Sequence, residues 1–327
     1  MRRDKLSMRE VAELARVSLG TVSNVVNNPD RVLPETRRRV EEAIKELGWV
    51  PNLHAKELRA GRSTTVGLAV MDVVNPFFAD LLRGAQHHLE VEGLNAIIGD
   101  ADNRPEREAA VLRSFRDQRV AGVILGPIRA LPPEAALLGA AGIPVVLVDR
   151  ADSETYSTVG VDDVAGGDLA GRHLIERGHR SLAFIGGSMG LAQVRDRLAG
   201  FRRAVADGGG TLRTLTVDAL DFASGRQAAD QFERWDRPTA AFCANDMLAI
   251  GLLQGLLARG LRVPEDVAIV GYDDIDFAAA AAVPLSSVAQ PRRELGRAAA
   301  QLLLAEIAGG GHQHVEHQPT LVVRESS

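Results

Sequence analysis

The stretch VAELARVSLGTVSNVVN, residues 11–27, decides the fold of the N-terminal part of the chain. Just before it, Ser7 and Glu10 have the three-residue spacing that is typical of a capping box at the start of a helix. The apolar residues of a short amphipathic helix then follow: Val11, Leu14 and Ala15. Val17 and Ser18 come next and are interpreted as a turn.

A second helix is predicted over residues 19–26, with Ser18 as its N-cap. Its valines recur at helical spacing and should face a core: Val22, Val25 and Val26. A third helix from about Pro34 to Leu47 closes a three-helix core. Two short helices joined by a tight turn indicate a helix-turn-helix, whose second helix lies in the major groove of DNA. The candidate DNA contacts on and around that helix are Ser18, Leu19, Gly20, Thr21, Ser23, Asn24 and Asn27.

The charge of the chain is unevenly distributed. Residues 1–62 carry 13 Lys and Arg against 9 Asp and Glu, whereas the rest of the chain carries 25 against 34. A basic head on an acidic body is the distribution expected if only the head meets phosphate.

Composition limits the class of protein. A length of 327 residues suits two or three packed units, and 46% hydrophobic with 25% charged residues is ordinary for a globular protein. Cys243 is the single cysteine, which excludes a disulfide framework and favours a reducing compartment. The basic start has no apolar stretch behind it, and no apolar run approaches the roughly 20 residues that span a bilayer. We expect a cytoplasmic protein without a membrane partner.

From Thr64 onward, short apolar strands alternate with longer helices, which predicts parallel sheets with helices on both faces. The body is large enough for two doubly wound lobes, whose ligand site should lie outside the carboxyl ends of the strands. The predicted strands lie near residues 65–71, 95–100, 120–125 and 144–149, and then near 181–186, 212–217, 239–243 and 267–272.

Polar and aromatic residues occur where these strands should end, and together they form a candidate effector site. They are Asn75, Phe77, Phe78, Asp149, Arg150, Asn245, Asp273 and Gln290. Three more lie in loops or at helix starts on the same expected face: Arg195, Arg197 and Phe222. Carboxylates, amides and guanidinium groups hydrogen-bond hydroxyls, while phenyl rings cover the apolar face of a sugar.

The head resembles that of lactose/galactose-type (LacI/GalR) repressors over VAELARVSLGTVSNVVN, TRRRVEEAIKELGWVPN (36–52) and AKEL (55–58). The resemblance implies a hinge after Pro51-Asn52 that becomes helical on specific DNA, with Leu58 as a wedge in the minor groove. The DNA contacts implied there are Asn52, Ala55, Lys56 and Leu58.

Three residues depart from that family pattern. Arg16 takes the place of a turn glycine, at a cost of about 1 kcal/mol if the backbone is left-handed. Leu33 takes the place of a Ser cap. Asn24 stands where Arg is common, and since Asn pairs with adenine and Arg with guanine, we expect a different half-site.

The body resembles the effector domain of the same family and the periplasmic sugar-binding proteins related to it. The segments that carry the resemblance are RLAGF (197–201), ANDMLAIG (244–251), VGYDDID (270–276) and LVVRESS (321–327). The similarity is closer still to ribose-binding proteins and ribose-type repressors, whose sugar contacts correspond to Asn75, Phe77, Phe78, Asp149, Arg150, Arg195, Phe222, Asn245, Asp273 and Gln290. A ribose-like pentose is favoured, and a nucleoside or a hexose such as allose or psicose stays open.

The predicted organisation is an all-α helix-turn-helix domain over 1–50, a hinge over 51–62 and a periplasmic-binding-protein-like effector and dimerisation domain over 63–327. We expect an N-lobe of about 63–162 plus 291–317 and a C-lobe of about 163–290 plus 318–327. The prediction is a homodimeric repressor of a near-palindromic DNA operator, controlled by a small sugar. Whether the sugar induces or corepresses is open, and no cofactor, metal or catalytic residue is expected.

Other functions fit parts of the sequence. Gly186–Gly190 has the strand–turn–helix position of a hydrolase nucleophile elbow, with Ser188 as nucleophile. A hydrolase would leave the helix-turn-helix head without a role, and so would a protein that only binds sugar. A repressor whose body binds a protein co-regulator is the third alternative, and it does account for the head. His312, His314 and His317 are interpreted as part of an exposed loop rather than a metal site.

Overall fold

The computed structural model describes residues 7–49, 63–129, 131–149, 153–235 and 238–327. The chain divides into two units, one that ends at Ser63 and one from Thr64 to Ser327.

The N-terminal unit is built on three helices around a small apolar core. They are α1 (Met8–Ala15), α2 (Leu19–Asn27) and α3 (Pro34–Leu47), with a 3-10 turn over Pro29–Arg31. The predicted capping box is present, since the backbone N–H of Ser7 donates to the Glu10 carboxylate across 2.6 Å. Leu14 was expected on the apolar face but is 42% exposed. The buried core consists of Val11, Ala12, Ala15, Val22, Val25, Val40, Ala43 and Trp49.

Arg16 and Leu33, two of the residues that depart from the family pattern, affect the ends of helices as expected. Arg16 ends α1 in the left-handed conformation, with φ of 53°. Leu33 precedes α3 without a side-chain capping bond, and Pro34 stands at the first position of that helix. Pro34 suits that position because its missing N–H would have no helical partner there.

The C-terminal unit contains two six-stranded sheets, which confirms the predicted architecture of two α/β lobes. The N-lobe sheet has the order β11-β5-β4-β3-β1-β2 and is parallel throughout. Its strands are β1 (Thr65–Val70), β2 (Asn95–Asp100), β3 (Gly122–Leu125), β4 (Val145–Val148), β5 (Ser157–Val161) and β11 (His314–His317).

The C-lobe sheet has the order β12-β10-β9-β8-β6-β7. The edge strand β12 runs antiparallel to β10, so this sheet is parallel except at that one edge. The strands are β6 (Ser181–Gly186), β7 (Thr211–Thr216), β8 (Ala240–Cys243), β9 (Ala268–Asp273), β10 (Ser286–Ala289) and β12 (Thr320–Val322).

Four of these strands, β5, β10, β11 and β12, were not predicted. They are three to five residues long. Polar residues are frequent in β5, β10 and β11, as in STVGV and SSVA, and β12 has only three residues, so these strands lack the longer apolar runs used to find the others. The hydroxyls of buried Ser286 and Ser287 are hydrogen-bonded, which allows polar residues inside the sheet.

Helices cover both sheets, and the chain passes between the lobes three times: after β5, after β10 and between β11 and β12. The helices are α4 (Pro76–Val91), α5 (Pro105–Asp117), α6 (Pro133–Ala140), α7 (Asp163–Glu176), α8 (Ala192–Asp207), α9 (Phe222–Arg234), α10 (Asp246–Leu257), α11 (Asp276–Ala279) and α12 (Arg292–Ile307). Within the described ranges, every helix is too short or too polar to cross a membrane.

Candidate functional site

A cavity of about 300 Å³ lies at the carboxyl ends of the strands, and residues of both lobes line it. This volume is at the small end of the range for small-molecule sites. The lining consists of Met71, Asp72, Asn75, Phe77, Phe78, Asp102, Asn103, Asp149, Leu191, Gln193, Arg197, Ala219, Leu220, Asp221, Asn245, Asp273 and Gln290.

The N-lobe supplies the aromatic part of the lining. Asn75 ends the turn after β1 and caps α4, since its Oδ1 accepts the backbone N–H of Phe77 across 3.0 Å. The rings of Phe77 and Phe78 are 5.0 Å apart, edge to face, and both side chains are buried. The cap fixes the start of α4 and therefore where both rings lie.

Two lining carboxylates sit at strand ends in unusual backbone conformations. Asp149 directly follows β4 with φ of 60°, and Asp273 ends β9 with φ of 105°. Residues other than glycine adopt this region rarely, and such strain is found most often at functional sites. Burial, with Asp163 nearby, raises the pKa of Asp149 to about 8. Burial also raises the pKa of Asp273 to about 6, although Arg197 opposes the shift.

Arg197 is a buried cation of the cavity and is held on several sides. Its Nε donates to Asp163 Oδ1 across 2.8 Å, and its Nη1 donates to the Ala244 carbonyl across 2.7 Å. Nη1 also lies 3.9 Å from Asp273 Oδ1. Burial alone would lower the pKa of Arg197, but the surrounding carboxylates raise it above its ordinary value, so this guanidinium stays charged.

Two amides complete the floor of the cavity. Asn245 caps α10 by accepting the N–H of Leu248, and its Nδ2 donates to the Leu220 carbonyl across 3.1 Å. Gln290 donates its Nε2 to Asp273 across 2.7 Å. The Oε1 of Gln290 is buried and has no hydrogen-bond partner among the residues that the structure describes. A buried acceptor without a donor is costly, so this atom calls for a donor from a ligand or from water.

The lining is strongly acidic. Arg197 is its one cation within the described part of the chain, against the five carboxyl groups of Asp72, Asp102, Asp149, Asp221 and Asp273. Acceptor atoms therefore outnumber donors, which suits a ligand rich in O–H or N–H groups. A phosphate or carboxylate ligand would meet like charge.

The cavity brings together most of the effector residues predicted from the sequence: Asn75, Phe77, Phe78, Asp149, Arg197, Asn245, Asp273 and Gln290. Arg150 lies outside the described residues. Arg195 and Phe222 are placed away from the lining.

Helix geometry explains both displacements. Gln193 and Arg197 are four residues apart on α8 and share its inner face, whereas Arg195 points to the outer face, 55% exposed and paired with Asp196. Asp221 caps α9 and lines the cavity, whereas the next residue, Phe222, lies on the first turn of that helix and is 36% exposed.

Several lining residues were missed although the strand-end rule applies to them. Asp72 follows β1, and Asp102 and Asn103 follow β2, so the same rule could have found them. Leu191, Gln193 and Leu220 carried no such signal, because they lie in longer connections or inside a helix.

The second helix of the N-terminal unit presents most of its predicted DNA contacts outward. Ser18 caps α2 by accepting the N–H of Thr21 across 3.1 Å, and Leu19, Gly20 and Asn24 are exposed. Ser18 is exposed too, while Thr21, Ser23 and Asn27 are half-buried. The predicted hinge contacts Asn52, Ala55, Lys56 and Leu58 lie outside the described residues.

The Ser188 turn and the three C-terminal histidines make contacts within the fold. The Ser188 hydroxyl accepts the N–H of Gly190 within its own turn. His314 and His317 belong to strand β11 rather than to a loop, which corrects the prediction, and His312 pairs with Glu306. Across the ranges given above, no cluster of His, Cys, Asp and Glu is arranged to hold a metal ion.

Comparison with known proteins gives a family match for two parts of the chain. Residues 7–52 match the family of bacterial regulatory proteins, lacI family, and residues 172–327 match the periplasmic binding protein-like domain.

Full-length relatives are repressors. The chain is 33% identical over 329 residues to the HTH-type transcriptional repressor PurR of Aliivibrio fischeri (strain MJ11), with 98% of each chain covered. It is 32% identical over 328 residues to the ribose operon repressor of Haemophilus influenzae, again with 98% of each covered. Among solved structures, the Lac repressor bound to ONPG in the repressed state is similar with a TM-score of 0.87 and 26% identity, over 99% of this chain and all of that one.

Proposed function

Because this chain belongs to the lacI family, as a DNA-binding repressor with a periplasmic-binding-protein-like ligand domain, we propose that an uncharged sugar controls its affinity for a near-palindromic operator. A ribose-like pentose is the favoured ligand, and the repressor acts as a homodimer whose two recognition helices read two half-sites.

The observation that carries the ligand class is the acceptor-rich lining. Asp273 and the unpartnered Oε1 of Gln290 accept hydrogen bonds, Asp149 accepts through one oxygen and donates through the proton that it keeps at neutral pH, and the Phe77 and Phe78 rings cover an apolar face. Every hydroxyl of a pentose can donate to such acceptors, while the ring C–H groups pack on phenyl faces. A sugar phosphate would bring two negative charges into a cavity that already holds five carboxyl groups.

On the DNA side, the proposal assigns base reading to the exposed face of α2. Asn24 is the exposed amide of that helix, and an amide is suited to pair with adenine in the major groove. The small or apolar Leu19 and Gly20 can approach the groove but offer few hydrogen bonds. Phosphate contacts set the register of the two heads and the base contacts supply the specificity.

Control requires that the sugar bind the DNA-competent and DNA-incompetent arrangements with different affinities, because equal affinity would shift nothing. The cavity is lined from both lobes, so a ligand in it bridges them and favours one lobe arrangement. Operator affinity measured with and without the sugar shows whether that arrangement strengthens or weakens DNA binding.

A purine base or nucleoside is the second candidate, because the purine-named repressor PurR is a full-length relative at 33% identity. A planar base offers fewer donors to the lining carboxylates than a polyol does. The edge-to-face arrangement of Phe77 and Phe78 also gives it no pair of parallel rings to enter.

Calorimetric titration separates these candidates. The panel holds ribose, ribose 5-phosphate, allose, psicose, adenosine and hypoxanthine, tested on the wild type, on Asp273→Asn and on the exposed control Asp207→Asn. The proposal expects ribose or a related sugar to bind, ribose 5-phosphate to bind at least tenfold more weakly, and only Asp273→Asn to lose affinity. Binding of hypoxanthine or adenosine alone would replace the sugar proposal with the purine one.

A further inference from the structure

The guanidinium of Arg197 is anchored by two residues that do not themselves line the cavity. Asp163 Oδ1 accepts both Arg197 Nε across 2.8 Å and the Tyr272 hydroxyl across 2.7 Å. The Tyr272 ring lies under the guanidinium, with Cζ 3.7 Å from the ring centroid. Asp163 is 10% exposed at its side chain and Tyr272 is fully buried, and both are absent from the lining.

Close helix packing brings this arrangement about. Asp163 begins α7 and Arg197 lies on α8, and these two helices cross at glycines. A Cβ on Gly167 would lie 2.0 Å from the Arg197 carbonyl oxygen, and one on Gly200 would lie 1.9 Å from the Val164 carbonyl oxygen. Only glycine allows the helices to approach so closely, so the distance from Asp163 to Arg197 is set by the backbone.

Two hydrogen-bond acceptors and one aromatic ring thus fix the orientation of the Arg197 guanidinium. With Nε on Asp163, Nη1 on the Ala244 carbonyl and the plane stacked on Tyr272, the guanidinium cannot rotate without losing at least one contact. Its remaining edge therefore meets the cavity in one direction. A pre-oriented donor loses little entropy when it binds a ligand oxygen.

We propose that Asp163 and Tyr272 are positioning residues for Arg197 and set which ligand hydroxyl this repressor recognises, an inference that rests on the proposed function. Asp163 also balances the charge of Arg197, so the cavity gains a directed donor without becoming an anion site. Burial raises the pKa of both Asp163 and Tyr272, and the bonds to Arg197 and Tyr272 favour the ionised form of Asp163.

The test compares Asp163→Asn and Tyr272→Phe with Asp168→Asn. Asp168 lies on the same helix α7 and pairs with Arg172 and Arg203, away from the lining, so it is a matched control for loss of a helix carboxylate. Each full-length variant is titrated with D-ribose and with its 2-deoxy and 3-deoxy analogues, and melting temperatures show that it is folded.

If Arg197 is directed at one hydroxyl, the wild type should bind one deoxy analogue at least tenfold more weakly than ribose. Asp163→Asn should lower ribose affinity at least tenfold and reduce that discrimination to about threefold or less, and Tyr272→Phe should give a smaller change in the same direction. Asp168→Asn should match the wild type. A folded Asp163→Asn with unchanged discrimination overturns the inference, whereas a wild type that binds none of the sugars overturns the proposed function instead.

A measurement without ligand tests the anchoring itself. The 15N–1H signal of Arg197 Nε should exchange slowly with water in the wild type and in Asp168→Asn, because Asp163 holds that hydrogen. It should broaden or vanish in Asp163→Asn. Equal exchange in all three proteins would contradict positioning by Asp163.

Discussion

Gln290 donates its Nε2 to Asp273 Oδ1 across 2.7 Å, while its own Oε1 is buried without a partner among the described residues. The pair joins the end of β9 to the crossover that follows β10, so it fixes one side of the cavity where the chain leaves the C-lobe. A ligand hydroxyl that donates to Oε1 would complete the amide and be held against Asp273.

Replacing Gln290 with Leu should therefore weaken the ligand more than the fold. The variant removes the orphaned acceptor and takes a donor from Asp273, so we expect ligand affinity to fall at least tenfold, or about 1.4 kcal/mol. The melting temperature should fall only modestly, because the variant removes one unsatisfied buried acceptor, Gln290 Oε1, while it takes the amide donor from Asp273. Gln301→Leu, on the exposed side of α12, is the matched control and should leave calorimetric affinity unchanged. Equal affinities in the two variants would remove Gln290 from the site.

The raised pKa of Asp149 predicts a pH-dependent stability. Because burial raises this pKa to about 8, the folded protein keeps a proton that the unfolded chain releases above about pH 4. Its contribution to the free energy of unfolding is thus fully present below pH 4 and is lost as pH rises through 8. Asp149→Asn should flatten this dependence and be more stable than wild type at pH 8, by about 1 kcal/mol or more.

The measurement is urea unfolding of both proteins at pH 5, 6, 7 and 8. Asp273, whose pKa is about 6, contributes the same slope to both proteins, so the gap between the two curves reports Asp149 alone and should widen steadily from pH 5 to 8. Parallel curves over that window would show that Asp149 is ionised in the folded protein at neutral pH.

Arg16 offers a stability test in the N-terminal unit. Its φ of 53° is strained for any residue with a Cβ, so Arg16→Gly should stabilise this unit by about 1 kcal/mol. Trp49 packs in the core of the unit, and its fluorescence in a Trp235→Phe background reports local unfolding. The transition should move up by several degrees, and Glu13→Gly, in the exposed interior of α1, should move it down. A downward shift for Arg16→Gly would contradict the strain argument.

Asn24→Ala tests the base-reading role of α2. If Asn24 pairs with adenine, the variant should lose about 1–3 kcal/mol of discrimination at one base position and keep its preference elsewhere. Affinities for single-base variants of a selected operator give this profile, and Asn28→Ala, just beyond α2, is the control. Uniform weakening over all sequences would mean that Asn24 contacts the backbone only.

The sequence predicted the fold because its periodicities are local. The spacing of the valines in α2 predicts a helix, and the apolar runs of β1 and β6 predict strands, without any information about distant residues. Strands such as β5 and β10 could not be found this way, because their polar residues are stable in the sheet only through partners far along the chain. Ser286, for example, bonds the carbonyl of Arg324.

The candidate site was predictable where a strand end decides the position of a side chain, as at Asp149 and Asp273. It was not predictable where helix phase decides. Arg195 and Arg197 are two residues apart and equally polar, but only the phase of α8 against α7 places Arg197 in the cavity and Arg195 outside. Asp163 carried no signal at all, since its role depends on the approach of two helices at Gly167 and Gly200.

The account depends on one coupling, between occupancy of the cavity and affinity for DNA. Its most direct test selects a preferred operator from random DNA with the full-length protein. Fluorescence anisotropy then measures the dissociation constant with and without a saturating sugar that calorimetry shows to bind. We predict a near-palindromic preferred sequence and a change of at least tenfold on adding the sugar, and in Gln290→Leu the sugar concentration that gives half of this change should rise at least tenfold. A dissociation constant that stays the same with the cavity filled would contradict the account.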